Sequence, residues 1–550
     1  MSKRLTIFSV TLLSMFIFLF NVACGNPLLE VIPEKVIAIL ELKDAELIES
    51  LSELDLAGFL PKGKEESEIQ DYKMTREEIK EELGFDVLDP LFLENIFSGG
   101  AILSCLGVSV GGVPEVLLAL SPYDSRAFTK FIGAIEAKNN LEEEISTYKD
   151  IDIINIILPE DADLEPLKSI SYAFLGDILV IGGNLSPVKK AIEVFQGESN
   201  SLLENSEYEE LKVKTGKRVE PSSFFFCLFG QELYHVLDEL IEVVEEEELA
   251  KTLKDSRDSL EDMGTISMVG GYQEKQFKAY MTTQISERYL NIFEDIDIVN
   301  LKSISMLPKN TFFHFGVILP LSWEEIKEGF INENLQLDLE RNVKQVQEKS
   351  GVDIEKAIYS WPAKEFSIGL FDISAMFPKL GLIVGYTSED KLTQDFYPVL
   401  ENFAPMMGGT LVDNQYEGIN YKSLSNPMFP LGYGIVGERF VLSSGINDII
   451  DSQGENITTL DQLEAIKYML SFPKVFSLLY IDMNSVSEIV GRFMQMAVQE
   501  IPEGVEDTEE AKRKESLDAI LEGLNSLENI LFWAGIEEDH TYAWFEINYK

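Results

Sequence analysis

The sequence predicts an α+β protein of two tandem homologous units, each a mainly antiparallel sheet covered by helices. Apolar strand-like runs are joined by short turns and separated by amphipathic helical stretches, which is typical of antiparallel sheets with helices on one face. This series of signals occurs twice in the same order, at a shift of about 250 to 275 residues. The length of 550 residues also exceeds what one compact core holds, so two domains are expected.

Matched segments make the repetition visible. Pro33 and Pro308 each open an apolar stretch, and the passage Gly-Phe-Asp-Val from Gly84 is matched by Gly-Val-Asp-Ile from Gly351. "YAFLGDILVIGG" is matched by "YGIVGERFVLSS", "PSSFFFCLF" by "PKVFSLLYI" and "MVGGYQEKQFKAYM" by "FWAGIEEDHTYAWF". Two diverged copies of one unit account for this order.

In the first unit, alternating or continuous apolar runs bounded by turn residues predict strands at 36–42, 101–110, 115–120, 145–158, 172–175, 178–181, after Pro221, 265–272 and 276–285. Gly176-Asp177 is a tight-turn signal between two of them. Capping residues and aligned apolar positions predict helices that begin at Asp44, Thr75, Asp124 and Ser186, and a helical stretch at 231–262.

The same signals in the second unit predict strands at 311–318, 365–371, 379–384, near 410, at 416–424, around the Gly437-Glu438 hairpin, at 475–482 and in a closing pair that ends at 549. Helices are predicted from Ser322 and Ser388 and at 335–349, 449–452, 460–470, 485–499 and 509–527. The domain boundaries follow as a signal peptide at 1–23, a short tether at 24–31, a first repeat at 32–286, a connector at 287–305 and a second repeat at 306–550.

The first residues have the pattern of an export signal. Lys3 and Arg4 precede an apolar stretch, and small residues then lead to Cys24. This resembles a bacterial lipoprotein signal, in which the cysteine is acylated and becomes the mature N-terminus, although Asn21 stands where a leucine-like residue is usual. The alternative is an uncleaved anchor, since residues 5–22 are just long enough to cross a bilayer. We therefore expect an exported protein, held by lipid on Cys24 on the extracytoplasmic side of a membrane.

The charge restricts the partners of the chain. Lys+Arg number 45 against 95 Asp+Glu, a formal net charge of −50. Such a surface repels phosphate backbones, so nucleic acid is not an expected partner. Solubility and self-repulsion explain the acid excess better than diffuse Ca²⁺ or Mg²⁺ binding, because no ordered ligand spacing accompanies it.

Two cysteines remain if Cys24 carries lipid. Cys105 and Cys227 both lie in apolar strand-like runs, where a cysteine usually behaves as a small buried hydrophobe. Whether they form a disulfide depends on the placement of their strands.

Turn and strand residues also carry a family resemblance. The chain has an exported leader followed by these turn and strand residues: Pro33, Gly84, Asp86, Gly176 and Asp177. In these features it resembles a bacterial envelope family known only as domain of unknown function 3352. The resemblance implies an exported, lipoprotein-like chain with a duplicated unit. It transfers no catalytic residue.

Motifs for catalysis are weak. Gly107-x-Ser109-x-Gly111 matches the nucleophile elbow of esterases, but an apolar strand follows it where that device requires a helix. The three histidines are scattered, so no zinc site is predicted. Gly182-Gly183-Asn184 before a helix suits an anion or simply a turn. We expect no enzyme, no cofactor and no metal.

The aromatic residues suggest binding instead. Phe224-Phe225-Phe226 predicts a strand covered on both faces, as in a core, or a strand of which one face lines a pocket for an acyl chain or another apolar ligand. Phe493, Met494 and Met496 fit either interpretation. The hypothesis is a non-enzymatic, membrane-anchored envelope lipoprotein that acts as a binding or structural module; the alternative is a carrier of a hydrophobic ligand. A protein of the envelope and an apolar ligand are the partners compatible with it.

Overall fold

A computed structural model describes residues 26–42, 100–109, 114–121, 126, 128–129, 132–133, 141–158, 169–244, 250–254, 257, 263–285, 301–318, 341, 344, 347, 362–373, 377–386, 388–405, 408–426, 430–454, 458–498, 521, 523–538 and 540–550. The chain divides into two compact units: Met1–Ser286 with Glu515–Gly523, and Glu287–Lys514 with Leu524–Lys550.

The first unit contains a large antiparallel sheet. Its strands are β1 (Ala38–Leu42), β2 (Ala101–Val108), β3 (Pro114–Leu120), β4 (Glu142–Tyr148), β5 (Ile151–Ile157), β6 (Ser169–Leu175), β7 (Ile178–Gly182), β8 (Phe224–Leu228), β9 (Met263–Gln273) and β10 (Gln276–Ile285). Neighbouring strands pair in the order β4-β5-β6-β7-β3-β2-β1-β8-β9-β10, and every pair is antiparallel. β1 thus lies inside the sheet, between β2 and β8.

Two tight turns fix the register of their hairpins. Gly176, with φ 64°, and Asp177 join β6 to β7, as the sequence predicts. Lys149 and Asp150 join β4 to β5 with φ values of 50° and 61°, although neither is a glycine. Left-handed backbone at both positions matches the twist of a two-residue hairpin.

Helices cover one face of this sheet, here called the helix face. They are a 3₁₀ helix (Asn26–Val31), α1 (Leu185–Phe195) and α2 (Ser206–Gly216). Asn184 caps α1 by accepting from the Ser186 N–H at 2.8 Å, and Asn205 caps α2 by accepting from the Tyr208 N–H at 3.0 Å. The buried side chains of these helices are mostly apolar: Leu28, Leu29, Val31, Val188, Ala191, Ile192, Tyr208. A further helix, α3 (Gly230–Val243), follows β8 and packs on β9.

The opposite face, here called the open face because α1 and α2 lie on the other side of the sheet, has an aromatic core at one end. Phe128 is buried and contacts the rings of Tyr172 and Phe174 edge-on, at centroid distances of 5.8 and 6.3 Å. Leu118 and Leu179 pack into the same cluster. The predicted alignment of Phe128 on a helix directed at the sheet agrees with this packing.

The second unit contains the strands β11 (Thr311–Ile318), β12 (Pro362–Phe371), β13 (Lys379–Tyr386), β14 (Leu411–Tyr416), β15 (Ile419–Leu424), β16 (Gly432–Val436), β17 (Arg439–Ser443), β18 (Val475–Asp482), β19 (Leu527–Glu537) and β20 (His540–Tyr549). They pair antiparallel in the order β14-β15-β16-β17-β13-β12-β11-β18-β19-β20. Strand for strand, this is the order found in the first unit.

Helical segments of the second unit occupy the same places in the chain order. They are a 3₁₀ helix (Lys302–Met306), a helical turn (Glu389–Lys391) that continues through a π-helical turn (Leu392–Phe396) into α4 (Tyr397–Phe403), and then α5 (Ile446–Asp451), α6 (Glu464–Leu470) and α7 (Met483–Val498). The ring centroids of Tyr397 and Tyr433 are 5.0 Å apart, and those of Phe396 and Phe440 are 5.4 Å apart. No helix in the described part of the chain is both long and apolar enough to span a membrane.

The structure differs from the predicted elements at several points. The strand predicted at 416–424 is broken by a turn at Glu417-Gly418, so β14 and β15 form a hairpin. The expected tether includes the buried Leu28 and Leu29, and the expected connector includes the buried Ser303 and Ile304. Other predictions lie outside the described residues: the signal peptide at 1–23, Cys24, the helices beginning at Asp44, Thr75 and Ser322, and Gly84 and Asp86.

Candidate ligand-binding cleft

An apolar cleft of about 600 Å³ lies on the open face of the first unit. It extends over six adjacent strands, from β3 through β2, β1 and β8 to β9 and β10. Its lining among the described residues is Ala38, Ile39, Leu40, Leu42, Leu103, Ser104, Cys105, Val116, Phe224, Phe226, Met268 and Phe277. The volume falls in the range of roughly 300–1,000 Å³ that is usual for small-molecule pockets.

Strand pairing explains why these side chains meet. Leu40 of β1 stands opposite Leu103 of β2 and Phe226 of β8, and Phe226 stands opposite Met268 of β9. Directly paired residues direct their side chains to the same face of a sheet. The four side chains therefore form one apolar row across four strands.

Burial alternates along these strands in the same way. Phe225 and Cys227 are fully buried on the helix face, whereas Phe224 and Phe226 are only partly buried. The run of three phenylalanines therefore has one face in the core and one face in the cleft. Phe224 and Phe226 are less completely covered than a core strand requires and border the cleft. That an apolar ligand occupies the cleft stays a prediction.

The cleft wall offers almost no polar group. Among its described residues, only Ser104 and Cys105 carry a hydroxyl or thiol. Ser104 stands opposite Ile39, so its buried hydroxyl lies on the helix face, where it donates to the Leu117 carbonyl oxygen at 3.2 Å. Burial raises the pKa of the Cys105 thiol, which keeps it uncharged at neutral pH. Such a wall binds a ligand by burial of apolar surface and dispersion.

The aromatic core closes one end of the cleft. Phe224 belongs to the cleft lining and also packs against the cluster of Phe128 and Tyr172. Close-packed aromatic rings resist displacement, so this end of the cleft is preformed.

Buried polar contacts fix the helices behind the cleft. The carboxylate of Glu41, fully buried on β1, accepts hydrogen bonds from the Tyr208 hydroxyl and, at 2.7 Å, from Lys212 Nζ. Thr215 and Ser267 share a hydrogen bond of 2.7 Å between α2 and β9. These contacts hold α2 against β1 and β9, which position the cleft residues on the other face.

The esterase-like motif lacks the geometry of a nucleophile elbow. β2 and β3 pair antiparallel around it, with Val108 opposite Pro114, so Ser109 follows a strand that enters a hairpin. Gly107 has a φ of 153° beside a bulge in β2. The interpretation of this motif as a hairpin is confirmed.

His314 and the glycine turn serve the fold. His314 is fully buried on β11 with Nε2 2.8 Å from the Ser367 hydroxyl, far in sequence from exposed His235. No group of three or more potential metal-ligating side chains occurs in the described residues. Asn184 uses its side chain to cap α1, so the turn interpretation of Gly182-Gly183-Asn184 is the one that the contacts support.

An exposed aromatic pair lies in the second unit. Phe377 and Phe493 are 62% and 42% exposed and their rings are 6.1 Å apart. Phe493 was predictable from the helix that carries it, whereas Phe377 was not, since a lone aromatic residue in a loop carries no periodic signal.

The chain belongs to the family described as "Protein of unknown function (DUF3352)", whose sequence profile matches residues 101–510. No curated protein matches it. Two solved structures of TP0453 are similar to parts of it. Crystal form I is 10% identical, with 48% of this chain and 81% of that chain covered and a TM-score of 0.25. Crystal form IV is 9% identical, with 49% and 85% covered and a TM-score of 0.25.

Proposed function

We propose that the protein is a non-enzymatic, membrane-anchored envelope lipoprotein whose first unit binds a hydrophobic, lipid-like ligand. The observation that carries this proposal is the apolar cleft of about 600 Å³ between Leu40, Leu103, Phe226 and Met268. Burial of the remaining accessible apolar surface of this cleft against a ligand contributes roughly 25 cal/mol per Å².

The proposal places the protein outside the cytoplasm. The charged, apolar and small residues before Cys24 support export and acylation of this cysteine. Several acyl chains on one residue would anchor the chain durably, at about 0.8 kcal/mol per buried methylene group. The net charge of −50 supports partners other than nucleic acid.

The proposal also includes an origin by duplication. The shared strand order of the two units and the matched sequence segments support it. The bridges Pro33–Ser201 and Pro308–Thr459 add a further pair of matched contacts. A second proposal, a protein partner in the envelope, is supported by the exposed Phe377–Phe493 pair.

Native mass spectrometry of the gently extracted full chain tests the ligand. We expect a co-purifying mass that extraction with organic solvent removes, and a chain that is always free of lipid would contradict the proposal. Incorporation of labelled palmitate tests the anchor: wild type should carry label and Cys24→Ser should not. Label retained in Cys24→Ser would show that the anchor is elsewhere.

A further inference from the structure

We propose that the cleft binds one hydrocarbon chain of a single-chain lipid whose head group is uncharged or zwitterionic. This inference rests on the proposed function and adds the class of ligand. Three properties carry it: the length of the cleft across the sheet, its volume, and the charge of the protein.

The cleft extends across the sheet. From β3 to β10 it crosses five strand spacings of about 4.8 Å, or about 24 Å in all. Val116 of β3 and Phe277 of β10 mark the two ends of this span in the described lining. That length suits one extended hydrocarbon chain laid across the strands.

The volume also limits the number of methylene groups. A methylene group takes up about as much space as a water molecule, whose share of liquid volume is about 30 Å³. The cleft therefore holds on the order of twenty such groups. That is the size of one long acyl chain, whereas a membrane phospholipid has two.

Charge selects the head group. The described lining holds no charged side chain, so none of these residues can pair with an ionised head group, and we expect the head group to stay outside the cleft. Outside, it meets a protein with a net charge of −50, which repels anions and tolerates neutral or zwitterionic groups.

The second unit supplies the substitution that tests the site. Leu40 pairs with Leu103 and Phe226, and at the corresponding place in the second unit Phe315 pairs with Ile368 and Leu479. Two residues earlier on the same faces stand Ala38 and Phe313. Ala38→Phe thus introduces the residue of the second unit and adds a bulky ring to the cleft lining.

The test compares three lipids with the same acyl chain, palmitoyl lysophosphatidylcholine, palmitoyl lysophosphatidylglycerol and dipalmitoyl phosphatidylcholine, by native mass spectrometry of the full chain. We expect one lysophosphatidylcholine per chain, at least about tenfold weaker binding of the anionic lipid, and no binding of the two-chain lipid. Ala38→Phe should weaken binding at least about tenfold. Leu380→Phe, which adds the same ring at an exposed position of the second unit, should leave it within about twofold. Thermal unfolding of both variants shows whether they fold.

The outcomes separate this inference from the proposed function. Equal binding of the two-chain lipid, or of the anionic lipid, would overturn the inference and leave an apolar binding site standing. Equal binding by a folded Ala38→Phe chain would show that the ligand lies elsewhere and overturn the inference as well. No binding of any lipid, together with no co-purifying lipid, would overturn both.

Discussion

Cys105 and Cys227 lie on opposite faces of the first unit's sheet, because they stand opposite the consecutive residues Ala38 and Ile39 of β1. β1 separates their strands, so their Cα atoms lie about two strand spacings, or about 10 Å, apart. A disulfide spans at most about 7 Å between Cα atoms. Both thiols are free, and the sheet itself keeps them from bridging.

This placement predicts different reactivity of the two thiols. Burial raises the pKa of both, but Cys105 lines the cleft and Cys227 is fully buried. We expect an alkylating reagent to label Cys105 first, at a rate that rises between pH 7 and pH 10 because the thiolate is the reactive form. Peptide mapping by mass spectrometry measures both sites, and lysophosphatidylcholine should slow labelling of Cys105. Equally fast labelling of Cys227 in the folded chain would contradict the placement.

Removing Lys212 should destabilise the first unit. Lys212→Met leaves the buried Glu41 carboxylate with only the Tyr208 hydroxyl, and an uncompensated buried charge costs several kcal/mol. Because the Lys212 side chain is 26% exposed, we expect the lower part of that range, about 2–4 kcal/mol. Urea unfolding measures the loss. Lys467→Met, which breaks an exposed pair with Glu464, is the control and should change little.

The stability of the second unit should fall with acid because of His314. Complete burial lowers its pKa from 6.5 to about 3, so the folded chain keeps the ring neutral. Below pH 6.5 the unfolded chain binds a proton that the folded chain does not, and stability drops as pH falls from 6.5 towards 3. At pH 5 the loss is about 2 kcal/mol, at about 1.4 kcal/mol per pH unit.

Replacement of His314 by the residue at the matching place of the first unit tests this. His314→Ile should reduce the difference in unfolding free energy between pH 7 and pH 5 by about 2 kcal/mol. The lost hydrogen bond to Ser367 should lower the stability at both pH values. His235→Gln is the control for removal of a histidine, since His235 is exposed on α3. An unchanged pH dependence in His314→Ile would show that other groups cause it.

Gly270 should be intolerant of a side chain. A Cβ there would lie 2.4 Å from Cε1 of Phe224, the residue that joins the cleft to the aromatic core. Gly270→Ala should cost about 1–3 kcal/mol by overpacking and weaken lipid binding as Phe224 shifts. Gly216→Ala, where a Cβ meets no atom within 4 Å, is the matched control. Thermal unfolding measures the loss of stability, and native mass spectrometry measures lipid binding. A Gly270→Ala chain as stable as the control would contradict the packing.

Much of the fold follows from local sequence signals. The turn at Gly176-Asp177 and the strands beside it were predictable because a left-handed glycine turn between apolar runs has a distinct signature. The turn at Lys149-Asp150 was not, since its left-handed residues are not glycines and the region 145–158 reads as one strand-rich stretch. Strand order is set by pairing between residues far apart, such as β1 with β8, and no local pattern reveals it.

The cleft could be predicted only in part. The Phe224–Phe226 run signalled an apolar strand, but which of its faces is open depends on where α2 packs. Cys105 and Met268 line the cleft because of the register of their strands, which cannot be read from the amino-acid composition. Phe313 in place of Ala38 shows that equivalent positions carry different bulk, a difference visible only once the strands are paired.

The packed 3₁₀ helix Asn26–Val31 has a consequence for orientation. Only Gly25 separates Cys24 from this helix, and consecutive Cα atoms are 3.8 Å apart, so an acylated Cys24 would lie within about 8 Å of a segment whose Leu28 and Leu29 are fixed in the core. A linker this short would keep the first unit close to the bilayer surface. The first unit would therefore lie directly against the lipid head groups.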